Sequence, residues 1–343
     1  MSDKRIDWID VLKGLAIILV VLGHSPALHV RTYIFSFHMP LFFFISGYLF
    51  SIIKYDNMFQ FIKRKSLTIL VPYVAFALIS IVSLSVLHDA NLTIKEYAFD
   101  FINSTRNQIP FNEALWFLTA LFVIEVVYYL GLRFIKNKYI LLFICIAISF
   151  TVYFFKNGMA EPPSLPWSLD QAFYYLIFFS IGNTFRDFRI DKSVLNFIIS
   201  IGIALNILFL IKPQFIGSAI NLIPNSIYSF FASTLVAIIG IVAFIGISKV
   251  FADSKKLQLI GENSLIIFAL HLPLAFVIVD KLVIMLNLNL QPNNFGGIMY
   301  SLLTLVILSP VVYVINRYTP FIVGRKQNHK QDVILKDKYD VTA

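Results

Sequence analysis

The sequence has little charge and almost no cysteine. Only 14% of its 343 residues are charged, whereas 58% are hydrophobic, and these proportions lie outside the range of soluble domains. The single cysteine, Cys145, excludes an intramolecular disulfide. The sequence also lacks internal repeats, heptads and a glycine-rich phosphate loop. A disulfide-stapled domain, a coiled coil and a P-loop nucleotide-binding protein are therefore excluded.

The sequence consists mainly of long apolar segments. Each is about as long as the ~20 residues that a helix needs to cross the hydrocarbon layer. We therefore predict an all-α, polytopic transmembrane bundle of about ten spans, with a membrane domain over 1–324 and a disordered tail over 325–343. The predicted spans are 8–25, 33–53, 66–87, 114–132, 139–155, 171–187, 194–211, 227–247, 264–286 and 298–316.

The basic residues lie mostly on one side of this predicted membrane. With the N-terminus inside, 21 of the 28 lysines and arginines fall in inner segments and five in outer loops, while Lys13 and Lys281 lie within spans. One missed span would invert every later loop, so the asymmetry supports the count. We predict a multi-pass protein of the cell membrane with both termini in the cytoplasm. The net charge of +9 comes from basic residues that are distributed along the inner side of the predicted membrane rather than gathered in one patch. It therefore gives no reason to expect nucleic acid as a partner.

The first span carries ionisable residues on one helix face. Lys13 and His24 are eleven residues apart, which places them on the same face and about 16 Å apart along the axis. Asp10 lies one turn before Lys13. Ionisable groups inside a membrane indicate a functional site by default. Two alternatives stay open: Lys13 snorkels to the inner interface or pairs with Asp10, and His24 is an interfacial residue. We expect this span to be retained rather than cleaved as a signal peptide, because no small-residue cleavage site follows it.

The second predicted span places another histidine at the outer level. His38 lies about one and a half turns into that span, at a depth close to that of His24. Pro40 removes a helical hydrogen bond and can open space beside His38. Ser46 and Gly47 form a small pair at which two helices can approach closely.

Later spans add an acid, an aromatic residue and a third histidine. Glu113 and Trp116 lie at the outer end of the fourth predicted span, and His271 lies in the ninth. A lone histidine inside a membrane is either a hydrogen-bonded packing residue or a functional one, and both interpretations stay open for His271.

Together these motifs resemble the acyltransferase-3 family of membrane acyltransferases, and within it the group related to fucose 4-O-acetylases. The resemblance extends over nearly the whole chain in length and number of spans, with weaker support from the segments LWFLTALF and NSLIIFALHLP. Three motifs of the family match in the first two spans: a basic residue separated from a histidine by ten residues, an arginine before the first span, and a serine-glycine signature. The matching residues are Lys13 and His24, then Arg5, then Ser46, Gly47 and Tyr48. Family members often have arginine where this chain has Lys13, so the bidentate fork is lost here.

The resemblance implies an O-acyltransferase, most simply an O-acetyltransferase, that moves an acyl group from cytoplasmic acetyl-coenzyme A to a hydroxyl of a cell-surface or exported glycan. It implies no metal. A histidine is the usual proton acceptor for a sugar hydroxyl, and the phosphates of the coenzyme need cations. We therefore expect His24 and His38 to be catalytic and Lys13 and Arg5 to bind the coenzyme. Supporting roles are expected for Asp10, Ser46, Glu113, Trp116 and His271.

The expected partners are acyl-coenzyme A, a glycan or lipid-linked saccharide, the lipid bilayer, and either a second copy of the chain or a glycan-assembly protein. Two other classes of function stay open. Buried histidine, lysine and glutamate residues also occur in proton-coupled transporters and flippases, although no paired halves with broken helices are visible here. The remaining class is a non-catalytic scaffold for a glycan polymerase.

Overall fold

The computed structural model describes residues 6–26, 28–87, 94–159, 163–188, 191–221, 223, 226–288, 290 and 293–325. Within these ranges the chain forms fifteen α-helices and no strand, so the prediction of an all-α fold is confirmed. Arg5 and nearly all of the predicted tail over 325–343 lie outside the described residues.

The helices are numbered in chain order. Two π-helical turns, Ser66–Leu70 and His271–Phe276, join α3 to α4 and α13 to α14 into continuous rods. The bounds are α1 Asp7–His24, α2 Leu28–Leu49, α3 Met58–Lys65, α4 Val71–Leu87, α5 Ile94–Asn103, α6 Trp116–Phe134, α7 Lys138–Gly158, α8 Leu169–Phe185, α9 Lys192–Ile211, α10 Gln214–Asn221, α11 Ile227–Val250, α12 Lys255–Glu262, α13 Ser264–Leu270, α14 Val277–Met285 and α15 Asn294–Tyr318.

Eight stretches of the described residues are long and apolar enough to cross a membrane. They lie in α2, α3–α4, α6, α7, α9, α11, α13–α14 and α15, and they match eight of the ten predicted spans. The other two predicted spans, 8–25 and 171–187, form α1 and α8. Helix α1 carries three charged residues, and α8 has only 17 residues. The count of ten spans and the side on which each terminus lies stay predictions.

These two exceptional helices lie where protein covers them. Helix α1 packs against α2, α11, α12, α13 and α15, and α8 packs against α2, α6 and α7. Because protein neighbours rather than lipid surround much of their surface, α1 and α8 tolerate polar residues that a lipid-facing helix would not.

Glycine lets the backbones of α2 and α8 touch. A Cβ atom on Gly47 would lie 1.9 Å from the carbonyl oxygen of Phe179, and one on Gly182 would lie 2.1 Å from that of Phe44. The Asn183 side chain then donates a hydrogen bond of 3.1 Å to the carbonyl oxygen of Gly47. The close approach expected at the small pair of the second span is therefore present at Gly47.

A second backbone contact holds α1 against α12. A Cβ atom on Gly14 would lie 2.3 Å from the carbonyl oxygen of Leu257, and one on Gly261 would lie 1.8 Å from that of Asp10. This contact fixes the turn of α1 that carries Asp10 and Lys13, and so it sets the position of the lysine.

We predict that Gly182→Ala lowers the thermal unfolding midpoint of the purified protein in detergent. The added methyl group meets a backbone oxygen that cannot rotate away, and overpacking of this kind costs about 1–3 kcal/mol. The matched control is Gly158→Ala at the end of α7, where an added Cβ meets nothing within 4 Å. Equal midpoints for the two variants would contradict the close contact of α2 with α8.

Candidate active site

Three histidines from three helical segments share one hydrogen-bond arrangement. Nδ1 of His24 lies 2.8 Å from a carbonyl oxygen of the preceding helical turn, and the same distance is 2.9 Å for His38 and 2.7 Å for His271. A carbonyl oxygen only accepts hydrogen bonds, so Nδ1 carries the proton of each neutral ring. Each Nε2 therefore holds a lone pair and is able to accept a proton.

The three rings lie close to one another. The ring centroids of His24 and His271 are 5.2 Å apart, and the Phe35 ring lies 5.5 Å from His24 and 5.0 Å from His38. His271 is fully buried, and its Nε2 has no hydrogen-bond partner among the described residues. His38 is buried as well, whereas His24 is half-buried. His24 is thus the most accessible of the three to a substrate.

The loop before α6 lies against the segment that carries His271. Asn112 donates hydrogen bonds of 2.7 Å to the carbonyl oxygen of Ala269 and 2.9 Å to the hydroxyl of Ser80. Glu113 follows at once in a 3₁₀ turn, where it is exposed. This anchoring brings the predicted outer end of α6 to the histidines.

A cavity of about 180 Å³ lies beside the other end of α1. Lys13 and Ser46 both line it, so the two residues that the sequence assigned to different spans meet here. The Ser46 hydroxyl donates to the carbonyl oxygen of Phe42 at 2.9 Å, which leaves the oxygen of Ser46 as an acceptor. The rest of the wall is mainly apolar and comes from α2, the α3–α4 rod, α6 and α13.

Lys13 has an acidic partner in addition to this cavity. Its Nζ lies 3.4 Å from Oδ1 of Asp10, and the lysine side chain stays 28% exposed. Of the two alternatives for Lys13, the pairing with Asp10 is therefore present, and Lys13 lines the cavity as well.

The shared face of α1 points to one neighbouring rod. Ser264 and Phe268 of α13 line the cavity beside Lys13, and His271 follows on the same rod beside His24. The Phe268 ring lies 6.3 Å from the His271 ring and 5.3 Å from the Phe117 ring. Phe117 and Phe268 thus form an aromatic partition between the cavity and the histidines.

Sequence reasoning missed a polar chain on the far side of Trp116. The guanidinium of Arg106 lies 5.0 Å from the centroid of the Trp116 ring and donates a 2.7 Å hydrogen bond to Oε1 of Gln171. Gln171 in turn donates to Asp170 at 2.7 Å, and Lys156 forms an ion pair with the same carboxylate. The sequence did offer one signal for Arg106: it is one of only five lysines and arginines in the predicted outer loops.

The residues of the candidate site differ in the ligands that they are able to bind. Lys13 is placed to meet an anion that enters the cavity, and the histidines are placed to accept protons. No group of three or more His, Cys, Asp or Glu side chains in the described part of the chain is arranged to hold a metal ion.

Comparison with known proteins gives one match. A family model described as an acyltransferase domain, that of the acyltransferase-3 family, matches residues 6–317 and so covers nearly the whole chain. Neither the curated proteins nor the solved structures contain a match to this chain. The matched range includes Lys13, the cavity and all three histidines, and on this evidence the chain belongs to the acyltransferase-3 family.

Proposed function

We propose that the protein is a membrane O-acyltransferase that moves an acetyl group from cytoplasmic acetyl-coenzyme A to a hydroxyl of a cell-surface or exported glycan. One observation carries the proposal: a cavity lined by Lys13 and a proton-accepting histidine lie at the two ends of one face of α1, beside a single neighbouring rod. The family match supports acyl transfer, and the resemblance to fucose 4-O-acetylases favours acetyl as the group and a sugar as the acceptor.

His24 is the general base in this proposal. Its Nδ1–H is held by the carbonyl oxygen of Val20, so Nε2 is free to take the proton of the acceptor hydroxyl. As the proton leaves, the hydroxyl oxygen forms a bond to the thioester carbonyl carbon. The carbon–sulfur bond then breaks, and coenzyme A departs as a thiolate that takes up the proton.

His271 assists His24 in this proposal. When His24 becomes protonated, its positive charge needs stabilisation in a site of low dielectric. The unpartnered Nε2 of His271 belongs to a ring whose centroid lies 5.2 Å from that of His24. His271 also begins a π-helical turn, a feature that is frequent at functional sites. These observations favour a functional role for His271 over packing alone.

The cavity beside Lys13 is the proposed path of the acyl donor. Its apolar walls suit the pantetheine arm, and the ammonium group suits a coenzyme phosphate, which Arg5 would also contact. The arm must span about 16 Å from Lys13 to His24. In this proposal the aromatic partition of Phe117 and Phe268 has to open for the thioester to reach the histidines.

The competing functions have less support. The family match names an acyltransferase domain rather than a transporter, and it includes the residues of the proposed catalytic site. A scaffold without activity would have no need for three histidines with free Nε2 lone pairs in one cluster.

We predict that His24→Ala lowers acetyl transfer by about two to four orders of magnitude, the usual contribution of a general base. Release of coenzyme A by the purified protein and ester formation on surface glycan in cells are the two measurements. The control is His329→Ala, a histidine of the C-terminal sequence outside every predicted span. Near-native turnover by a well-folded His24→Ala protein would exclude His24 as the base.

We also predict that Lys13→Ala weakens binding of acetyl-coenzyme A by roughly ten- to a hundredfold, because a charge-assisted contact to phosphate is lost. Lys13→Arg should retain most of the affinity. Direct binding to the purified variants is the measurement, and Lys281→Ala is the matched control for loss of a lysine from a predicted span. Unchanged affinity in Lys13→Ala would leave Lys13 with only its ion pair to Asp10.

A further inference from the structure

Arg106 is a cation without a carboxylate partner in the described part of the chain. Its guanidinium is half-buried, lies over the Trp116 ring at 5.0 Å, and hydrogen bonds Oε1 of Gln171. No carboxylate of the described residues lies within the 4.0 Å of an ion pair. A partly buried charge that has only neutral partners is costly unless a ligand of opposite charge completes the site.

The surrounding residues hold the guanidinium in one orientation. Gln171 receives the hydrogen bond from Arg106 with its oxygen, because its own NH₂ group is committed to Asp170 at 2.7 Å. Lys156 neutralises that same carboxylate through an ion pair. Asp170 is 93% buried, and its second oxygen has no hydrogen-bond partner among the described residues. Among the described residues, charge balance thus leaves the positive charge of Arg106 without a neutralising carboxylate.

The site adjoins the histidines. Arg106 lies over Trp116, the first residue of α6, and Asn112 in the same loop hydrogen bonds the segment before His271. An anion held by Arg106 would therefore lie at the edge of the histidine cluster, on the side that the charge asymmetry predicts to be outside.

We propose that Arg106 binds an anionic group of the acyl acceptor, either a sugar carboxylate or a phosphate, and so places the acceptor hydroxyl at His24. Guanidinium recognises both anions through parallel N–H···O hydrogen bonds. The identity of the bound molecule as the acceptor rests on the proposed function, whereas the preference of the site for an anion does not. The acceptor is thus an acidic saccharide or a saccharide phosphate rather than a neutral one.

The test measures binding of three probes to the purified full-length protein in nanodiscs: methyl glucuronide, inorganic phosphate and the neutral methyl glucoside. We expect the protein to bind at least one of the two anions roughly tenfold or more tightly than the neutral sugar. Arg106→Gln should abolish this preference, and Arg106→Lys should retain part of it. The matched control is Lys212→Gln, an exposed cation of another predicted outer loop, which should leave the preference unchanged.

The two anionic probes distinguish the two kinds of anionic group. Tighter binding of methyl glucuronide indicates a carboxylate on the acceptor, and tighter binding of inorganic phosphate indicates a phosphate. Equal binding of all three probes by the unaltered protein, or an anion preference that survives in Arg106→Gln, would overturn the proposal. Arg106→Lys keeps the measurement decisive if Arg106→Gln fails to fold. If the preference for an anion depends on Arg106 but the protein transfers no acetyl group, the anion site is supported and the proposed function is contradicted. If the protein transfers acetyl groups but shows no preference for an anion, the proposed function is supported and the anion site is contradicted.

Discussion

Every ionisable group inside this bundle has to find a partner in protein rather than in lipid, and the architecture follows from that constraint. Asp10 and Lys13 pair at 3.4 Å on α1, and Lys65 pairs with the buried Glu125 at 2.8 Å. Such groups are tolerated at membrane depth only where protein surrounds them. This requirement accounts for the central place of α1, which carries three charged residues and is packed by five other helices.

The same constraint divides the candidate functional region into three parts. The cavity beside Lys13 has one cation and mainly apolar walls, and the histidine cluster has proton acceptors. The hydrogen-bonded series from Lys156 to Arg106 ends in a positive charge that no carboxylate of the described residues neutralises. The aromatic partition of Phe117 and Phe268 lies between the first two. A thioester donor and a hydroxyl acceptor would thus approach the histidines from different sides, which is what transfer across a membrane requires.

The regular geometry of a helix explains which parts of the candidate site could be predicted from the sequence. The spacing of eleven residues was enough to place Lys13 and His24 on one face, because helix geometry is regular over that distance. The close approach at Gly47 was likewise readable from a pair of small residues. The contacts between helices were not readable. Nothing in the spacing indicates that Phe35 lies between two histidines, that Asn112 anchors the loop before α6, or that Arg106 lies over Trp116, since these contacts join residues far apart in the chain.

The span count shows the same limit. Eight helices combine sufficient length with an apolar stretch that has few charged residues, whereas α1 carries three charged residues and α8 has only 17 residues. The charge asymmetry of the loops is the sequence evidence for counting these two helices as spans, and that count stays a prediction.

The central claim is that the acyl donor enters from the cytoplasmic side and the acceptor is modified on the opposite side. Everted membrane vesicles, which expose the cytoplasmic face to the medium, provide the test of this claim. Labelled acetyl-coenzyme A is added to the medium, and alkali-labile label is then measured on the glycan enclosed in the vesicles. The account predicts label inside the vesicles that depends on His24, and no such label when right-side-out vesicles receive the same external donor. Labelling that does not depend on the orientation of the vesicles, or that occurs only in right-side-out vesicles, would contradict it.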